Sequence, residues 1–402
     1  MSKIRLAIVG CGVMGNRHLN GLLELTRSEL SSFDLVAACD PIHENAELLA
    51  KYAEESLGKK VAIVENIENL EALDVHALDL TVVPWKHHTV AMEAMQKGWH
   101  VMVEKPMGLT VKACKLMMET ANQTKCILSA AENFHYDPMN IIGKELLKSG
   151  VIGAPRLILH NNVGGGSAII VTPWRHYKQG GGPLLDVGVH YSYVTEYLMG
   201  EVESVYAHTR LHELVRRNSA GKTPSEMQAD AEDASYAVLS FKNGAVGQYI
   251  EDHAGHGQEL WQRLIYGSKG SLNLPSDRSG KPVFATLDDK GTINDERILE
   301  FIPDYHLNDV TAKLFGGERI YHYGFPFSEI DSKLLAVEYY DFAESILKGR
   351  SPSVNSYQAA RSVGLIYAML ESARLGRSVT MDEIMNEKVT TYQDEINDII
   401  GL

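Results

Sequence analysis

An acid and an imidazole stand four residues apart in the stretch GGGPLLDVGVHYSY, Gly180 to Tyr193, as Asp186 and His190. Residues four apart on a helix are neighbours, so this spacing predicts one shared face for the two side chains. An imidazole that titrates near neutral pH suits the removal of a hydroxyl proton. The plain alternative is a helix-terminal acid followed by a packed histidine. A second chemical group is Lys105, in Glu104-Lys105-Pro106. An ammonium held there can hydrogen-bond a substrate hydroxyl and stabilise a developing alkoxide, while the proline restricts the backbone beside it.

The elements that must position these groups are legible upstream. Apolar runs occur at Ile4–Val9, Leu35–Asp40, Val61–Val64, Leu78–Val83, His100–Glu104 and Cys126–Ala130. Helix-compatible stretches separate most of them, and this alternation predicts βαβ units with a parallel sheet. Gly10, Gly12 and Gly15 form GxGxxG, enclosing Val13 and Met14, where the first strand meets the first helix. That context predicts a dinucleotide turn: Gly10 for the tight bend, Gly12 for close approach of a pyrophosphate, Gly15 for helix–strand packing. Asp40 closes the second run. A carboxylate there receives the adenosine ribose hydroxyls and repels a 2′-phosphate, which favours NAD over NADP. Pro84-Trp85 and Glu104-Lys105-Pro106 follow the fourth and fifth runs, so both lie at the carboxyl edge of the sheet, where ligands bind.

A chain of 402 residues exceeds one ordinary core and predicts two domains. Its 45% hydrophobic and 22% charged content is that of a soluble globular protein. A formal charge of −14 opposes nucleic-acid and anionic-membrane partners. Cys11, Cys39, Cys114 and Cys126 form no CxxC pair and read as reduced thiols of a cytoplasmic protein. The first apolar run breaks at Gly10, too early for a signal-peptide core, and no later run is long enough to span a membrane. His253 and His256 lie near Glu251 and Asp252 at metal-like spacing, but no further ligand motif surrounds them, so no metal is expected.

Taken in order, GCGVMG, Pro84…His88, Glu104-Lys105-Pro106, Ala131-Glu132-Asn133 and GGGPLLDVGVH resemble the Gfo/Idh/MocA family of nicotinamide-dependent oxidoreductases. The closing run DFAESILKGRSPSV…ESARLGRSV is similar to that family's last helices. The resemblance implies a doubly wound α/β Rossmann domain over residues 1–130. A second α+β domain, 131–402, would carry a large open, mostly antiparallel sheet, with the C-terminal helices free to pack back on the first domain. Strand signals agree at Arg156–Val163, Ser235–Phe241 and Ala245–Glu251, the last two flanking an Asn243-Gly244 turn. It further implies that Lys105, Asp186 and His190 gather around the reacting hydroxyl. Glu104, Pro84, Trp85, His88 and Asn133 would then stand on the cofactor side.

Two departures stand out. The family often has Arg before the aromatic where this chain has His135, followed by Tyr136, and an acid where this chain has Tyr193. Trp174, Arg175, His176 and Lys178 precede the glycines; the positive charge of His176 and Lys178, with Arg175 offering a fork of donors, suits an anionic sugar substituent. The expected activity is NAD-dependent oxidation of a secondary hydroxyl on a sugar, sugar acid, inositol or glycoside. The alternative is glycoside cleavage through transient C3 oxidation, elimination and re-reduction, with His135, Tyr136, His176 and Tyr191 as sources of a second acid/base. A non-enzymatic sensor would be expected to lack the trio, which is present. Sheet faces in such folds often pair, so a homodimer or homotetramer is expected. The charged segments His212–Asp233 and Pro303–Ile330 read as inserted loops, suited to a lid or a subunit contact.

Overall fold

The computed structural model describes residues 3–218 and 225–402. Six strands, β1 (Ile4–Val9), β2 (Phe33–Cys39), β3 (Ala62–Val64), β4 (Ala77–Leu80), β5 (His100–Glu104) and β6 (Leu128–Ala131), pair in parallel in the order β3-β2-β1-β4-β5-β6. A parallel sheet is covered on both faces, so its strands read as unbroken apolar runs; β4 and β6 are buried along their whole length. The helices α1 (Val13–Arg27), α2 (His43–Leu57), α3 (His87–Gln96) and α4 (Val111–Thr124) return the chain between strands. The order reverses between β1 and β4, which opens a crevice at their carboxyl ends. Helix α5 (Pro138–Lys148) leads out of this unit.

The second sheet starts with β7 (Pro155–Gly165), followed by the helices α6 (Gly182–Asp186) and α7 (Gly188–Met199). Strands β8 (Val202–Arg210), β9 (Val215–Asn218), β10 (Ser225–Gln228), β11 (Ala234–Phe241) and β12 (Val246–Gly255) come next. Then follow β13 (Leu260–Gly267), β14 (Gly270–Leu274), β15 (Phe284–Leu287) and β16 (Gly291–Ile293). The chain closes with α8 (Asp309–Phe315), α9 (Phe327–Lys348), α10 (Ser356–Leu375), β17 (Val379–Thr380), α11 (Met381–Met385) and α12 (Thr391–Ile400). Among the described residues the larger sheet has nine strands in the order β16-β15-β14-β13-β7-β12-β11-β8-β17. Every ladder is antiparallel except β7 with β12. Gly244, at φ +85°, takes the left-handed position in the turn that joins β11 to β12.

One face of this sheet packs on α7 and α10. The opposite face carries a continuous row: Tyr206, Val238, Gln248, Leu159, Leu264, Asn273 and Phe284 stand side by side across seven strands. Val238 at 52% and Tyr206 at 43% are among the exposed residues there.

Helix α9 returns to the first unit and lies along α1. A side chain at Gly21 would meet Leu335 at 2.4 Å, so the glycine lets the two helices approach. Arg17 Nε donates to Asp331 at 2.8 Å, Lys333 pairs with Glu24 at 3.2 Å, and the Tyr339 hydroxyl donates to Asp79. The segment expected as a loop over Pro303–Ile330 holds α8 and buries Tyr305, Leu307, Val310, Phe315 and Tyr323. It is packed chain rather than a free lid. The His212–Asp233 segment pairs β9 with β10, and Arg216 within it is buried on Asp233 at 2.8 Å; positions 219–224 lie outside the described residues. His253 is held by Glu251 at 2.6 Å, and His256 by Glu213 at 3.0 Å. All four cysteines are free and buried. Among the described residues no helix is long and apolar enough to cross a membrane.

Candidate active site

The glycine loop shows why Gly10 and Gly15 are needed. Gly10 has φ +96°, and a Cβ there would lie 2.6 Å from the Val82 nitrogen. A Cβ on Gly15 would lie 2.1 Å from the Gly10 oxygen. Gly12 faces open space, with nothing within 4 Å of an added Cβ. No side chain caps α1, so its first-turn N–H groups are left for a ligand. Thr81, not singled out in the sequence, fixes the loop by donating to the Gly10 carbonyl at 2.6 Å. At the end of β2, Asp40 accepts from the Cys11 and Ile42 N–H groups, each at 2.8 Å. These bonds orient the carboxylate and leave lone pairs for ribose hydroxyls. The crevice therefore fits a dinucleotide with an unphosphorylated ribose.

A pocket continues from this loop, lined by Met14, Pro84, Glu104, Lys105, Asn133, Trp174, Arg175, Asp186 and His190. Lys105 Nζ donates to the Asp186 carbonyl at 2.6 Å and to its Oδ1 at 3.3 Å. Arg175 Nε donates to Asp186 Oδ2 at 2.7 Å, while its Nη1 reaches Thr172 at 2.6 Å. Burial pushes the Asp186 carboxyl up, but Lys105 and Arg175 together outweigh it and hold it below the usual carboxylate range. His190 Nδ1 lies 2.7 and 2.8 Å from the two oxygens of Glu132. Its ring stacks on Phe134 with centroids 4.3 Å apart. Glu132 was quoted in the sequence only as part of a motif; its role as the acid beneath the imidazole emerges from the fold.

The expected shared helix face of Asp186 and His190 needs correction. The helix breaks at Val187, between α6 and α7, and Gly188 sits where any Cβ would strike Glu251 Oε2 at 2.1 Å. Asp186 therefore turns to Lys105 and Arg175, and His190 turns to Glu132. Both still line the same pocket.

Several expected ligand contacts lie elsewhere. His135 Nδ1 is bonded to the Tyr193 hydroxyl at 2.8 Å among three aromatic rings, and burial lowers its pKa to about 4. Tyr136 is buried and donates to Asp341 at 3.1 Å. Thus Tyr193, where relatives often keep an acid, is spent on an internal contact. His176 Nε2 accepts from the Ile170 N–H at 2.9 Å, and burial pushes its pKa to about 4. Lys178 pairs with Glu395 at 3.2 Å over the Tyr392 ring. None of these five lines the pocket. Trp85 packs edge-on against Trp174 at 5.6 Å. His88 is buried outside the pocket; its neighbour His87 lines it, with ring nitrogens 2.9 Å from the Pro106 oxygen and 3.0 Å from that of Val82.

Beneath the pocket, His18 is wholly buried between Asp79 at 2.9 Å and Glu104 at 3.4 Å. Burial pulls its pKa down, but the two carboxylates outweigh that and hold an imidazolium. Burial raises Glu104, yet His18 and Lys105 outweigh it and hold the carboxyl down at about 2. Arg17 and Arg278 also line the pocket and share Asp331. His18, Asp79, Arg17 and Arg278 carry no motif in the sequence, since their partners come from distant segments.

Comparison with known proteins agrees with this architecture. Residues 4–132 match the Gfo/Idh/MocA profile described as "Oxidoreductase family, NAD-binding Rossmann fold", and residues 144–381 match its C-terminal alpha/beta domain. The chain is 23% identical to scyllo-inositol 2-dehydrogenase (NAD(+)) of Bacillus subtilis, covering 94% of this chain and 97% of that protein. It is 25% identical to levoglucosan dehydrogenase of Pseudarthrobacter phenanthrenivorans, over 69% of this chain and 75% of the relative. A solved levoglucosan dehydrogenase in complex with NADH shares the fold, with TM-score 0.76 at 19% identity, over 94% of this chain and 99% of that one. With both domains matched and a glycine loop shaped for a dinucleotide, the chain belongs to the Gfo/Idh/MocA family of oxidoreductases and binds NAD through its Rossmann domain.

Proposed function

We propose that this protein oxidises a secondary hydroxyl of a sugar, sugar acid, inositol or glycoside. The observation that carries the reading is a pocket, adjoining the dinucleotide loop, in which an ammonium and a carboxylate-backed imidazole converge. The α1 N-terminus and Gly12 hold the pyrophosphate, and Asp40 takes the ribose hydroxyls. When bound, NAD supplies the two-electron acceptor for the hydride. Lys105 Nζ donates a hydrogen bond to the substrate oxygen, and Asp186, steadied by Arg175, aims that ammonium. Glu132 accepts from His190 Nδ1–H, so Nε2 keeps a lone pair and takes the hydroxyl proton. The resulting imidazolium is stabilised by the Glu132 carboxylate.

With Arg175 spent on Asp186, the positive charge left for an acidic substrate is the excess of Arg17 and Arg278 over the single Asp331 carboxylate they share, which favours trying anionic sugars beside neutral ones. In the same reading the enzyme works as a homodimer or homotetramer through the uncovered sheet face.

The test incubates the protein with NAD and a panel of free sugars, inositols and aryl glycosides, neutral and anionic, following NADH absorbance and aglycone release together. Stoichiometric NADH is expected. Aglycone release without net NADH would assign glycoside cleavage instead, and silence across the panel would remove the enzymatic reading. Lys105→Ala and His190→Ala should each lower the rate by about 10²–10⁴-fold while leaving NAD binding intact.

A further inference from the structure

The pocket holds an acid that neither the proposed reaction nor the ion pairs described above use. Glu338 stands on α9, one turn beyond Leu335, and both residues line the pocket. It is 3% exposed, and neither carboxyl oxygen has a hydrogen-bond partner among the described residues. A buried polar group left in this state is costly, so an unpaired one facing a ligand pocket points to the ligand.

The surroundings state which ligand group belongs there. Burial drives the Glu338 carboxyl well above the usual range; His18 opposes this, and Glu104, Glu132 and Asp79 add to the rise. The neutral acid presents an O–H donor and a carbonyl acceptor side by side. Its complement is a group with an acceptor and a donor in the same arrangement, which a primary carboxamide provides. The charged neighbours belong to α1, β4, β5 and the turn after β6, all within the nucleotide-binding half. Asp186 and His190 come from the other half. A second orphan, Asn133 Oδ1, lines the same pocket as a free acceptor.

We propose that Glu338 grips the carboxamide of the bound nicotinamide, donating to its oxygen and accepting from its NH₂, with Asn133 Oδ1 taking the second N–H. Glu338 is thus a cofactor-binding residue supplied by the last third of the chain. The inference rests on NAD as the cofactor, and its test separates the two.

Binding of NADH and of ADP-ribose, which lacks the nicotinamide, is measured calorimetrically for the wild type, Glu338→Gln and Glu338→Ala. Gln keeps a donor and an acceptor; Ala keeps neither. The expected result is an NADH affinity about tenfold weaker in Glu338→Ala, the scale of a lost hydrogen bond, with ADP-ribose within about twofold of wild type. Glu338→Gln should stay close to wild type for both ligands. Equal losses for both ligands would make Glu338 a structural residue and overturn the proposal. So would unchanged NADH affinity accompanied by a raised substrate KM, which would move Glu338 to the sugar side. Failure of ADP-ribose to bind the wild type would instead defeat the NAD assignment itself.

Discussion

At His190 the reaction turns on which ring nitrogen keeps its proton. Glu132 answers this by facing Nδ1 with both oxygens at 2.7 and 2.8 Å, while Phe134 holds the ring plane from below. Glu132→Gln preserves the shape and removes the charge that stabilises the imidazolium. We expect kcat to fall by about a hundredfold, with NADH affinity and substrate KM within about twofold. A variant of undiminished kcat would show that the dyad is not the base. The sequence made His190 visible through its glycine-rich context, and Lys105 through its place at a strand end. Glu132 was harder to read, because a carboxylate just past a strand signals nothing until the fold sets an imidazole against it. His135, His176 and Lys178 misled for the opposite reason: residue type suggested ligand contact, and burial or a distant acid had already claimed them.

Between elements, the buried row Tyr339–Asp79–His18–Glu104 ties α9, β4, α1 and β5 together. His18 has a folded pKa raised above 6.5, so its contribution is present below that value and is lost as pH rises through the higher folded one. Glu104 has a folded pKa lowered from 4.5 to about 2, so its contribution is present above 4.5 and lost as pH falls through about 2. Stabilisation by the row is therefore greatest between about pH 4.5 and 6.5, and declines as pH rises from 6.5 towards the raised pKa of His18. His18→Ala leaves two carboxylates buried without their cation and should cost about 3–5 kcal/mol within that window. Thermal unfolding against pH checks this, and a deficit independent of pH would rule out the ionic account. All six parallel strands were legible as apolar runs, because most of their residues are buried in the sheet. The break at Val187 was not, and the close approach of Gly188 to Glu251, from a strand some sixty positions later, was equally hidden.

For the whole molecule, the nine-stranded sheet presents one face to α7 and α10 and the other to solvent. Exposed Tyr206, Val238 and Phe284 lie along one line of that outer face. Exposed apolar side chains in such a row suit association with a second copy, and we expect sedimentation to give a dimer or tetramer. Val238→Asp, at 52% exposure, should shift the species toward monomer with little change in melting temperature. A wild type that stays monomeric at every concentration would refute the assignment. Alternating strands announced this sheet, but its bare side could be identified only once every helix had been placed.

Helix α9 supplies Leu335 against Gly21, Asp331 to Arg17 and Tyr339 to Asp79. Synthesis delivers the glycine loop first and these partners some three hundred residues later. The wall of the nucleotide pocket is thus among the last parts of the chain to leave the ribosome. A premature stop or frameshift anywhere before α9, however far from the glycine motif in sequence, strips that wall as surely as a lesion in the loop itself.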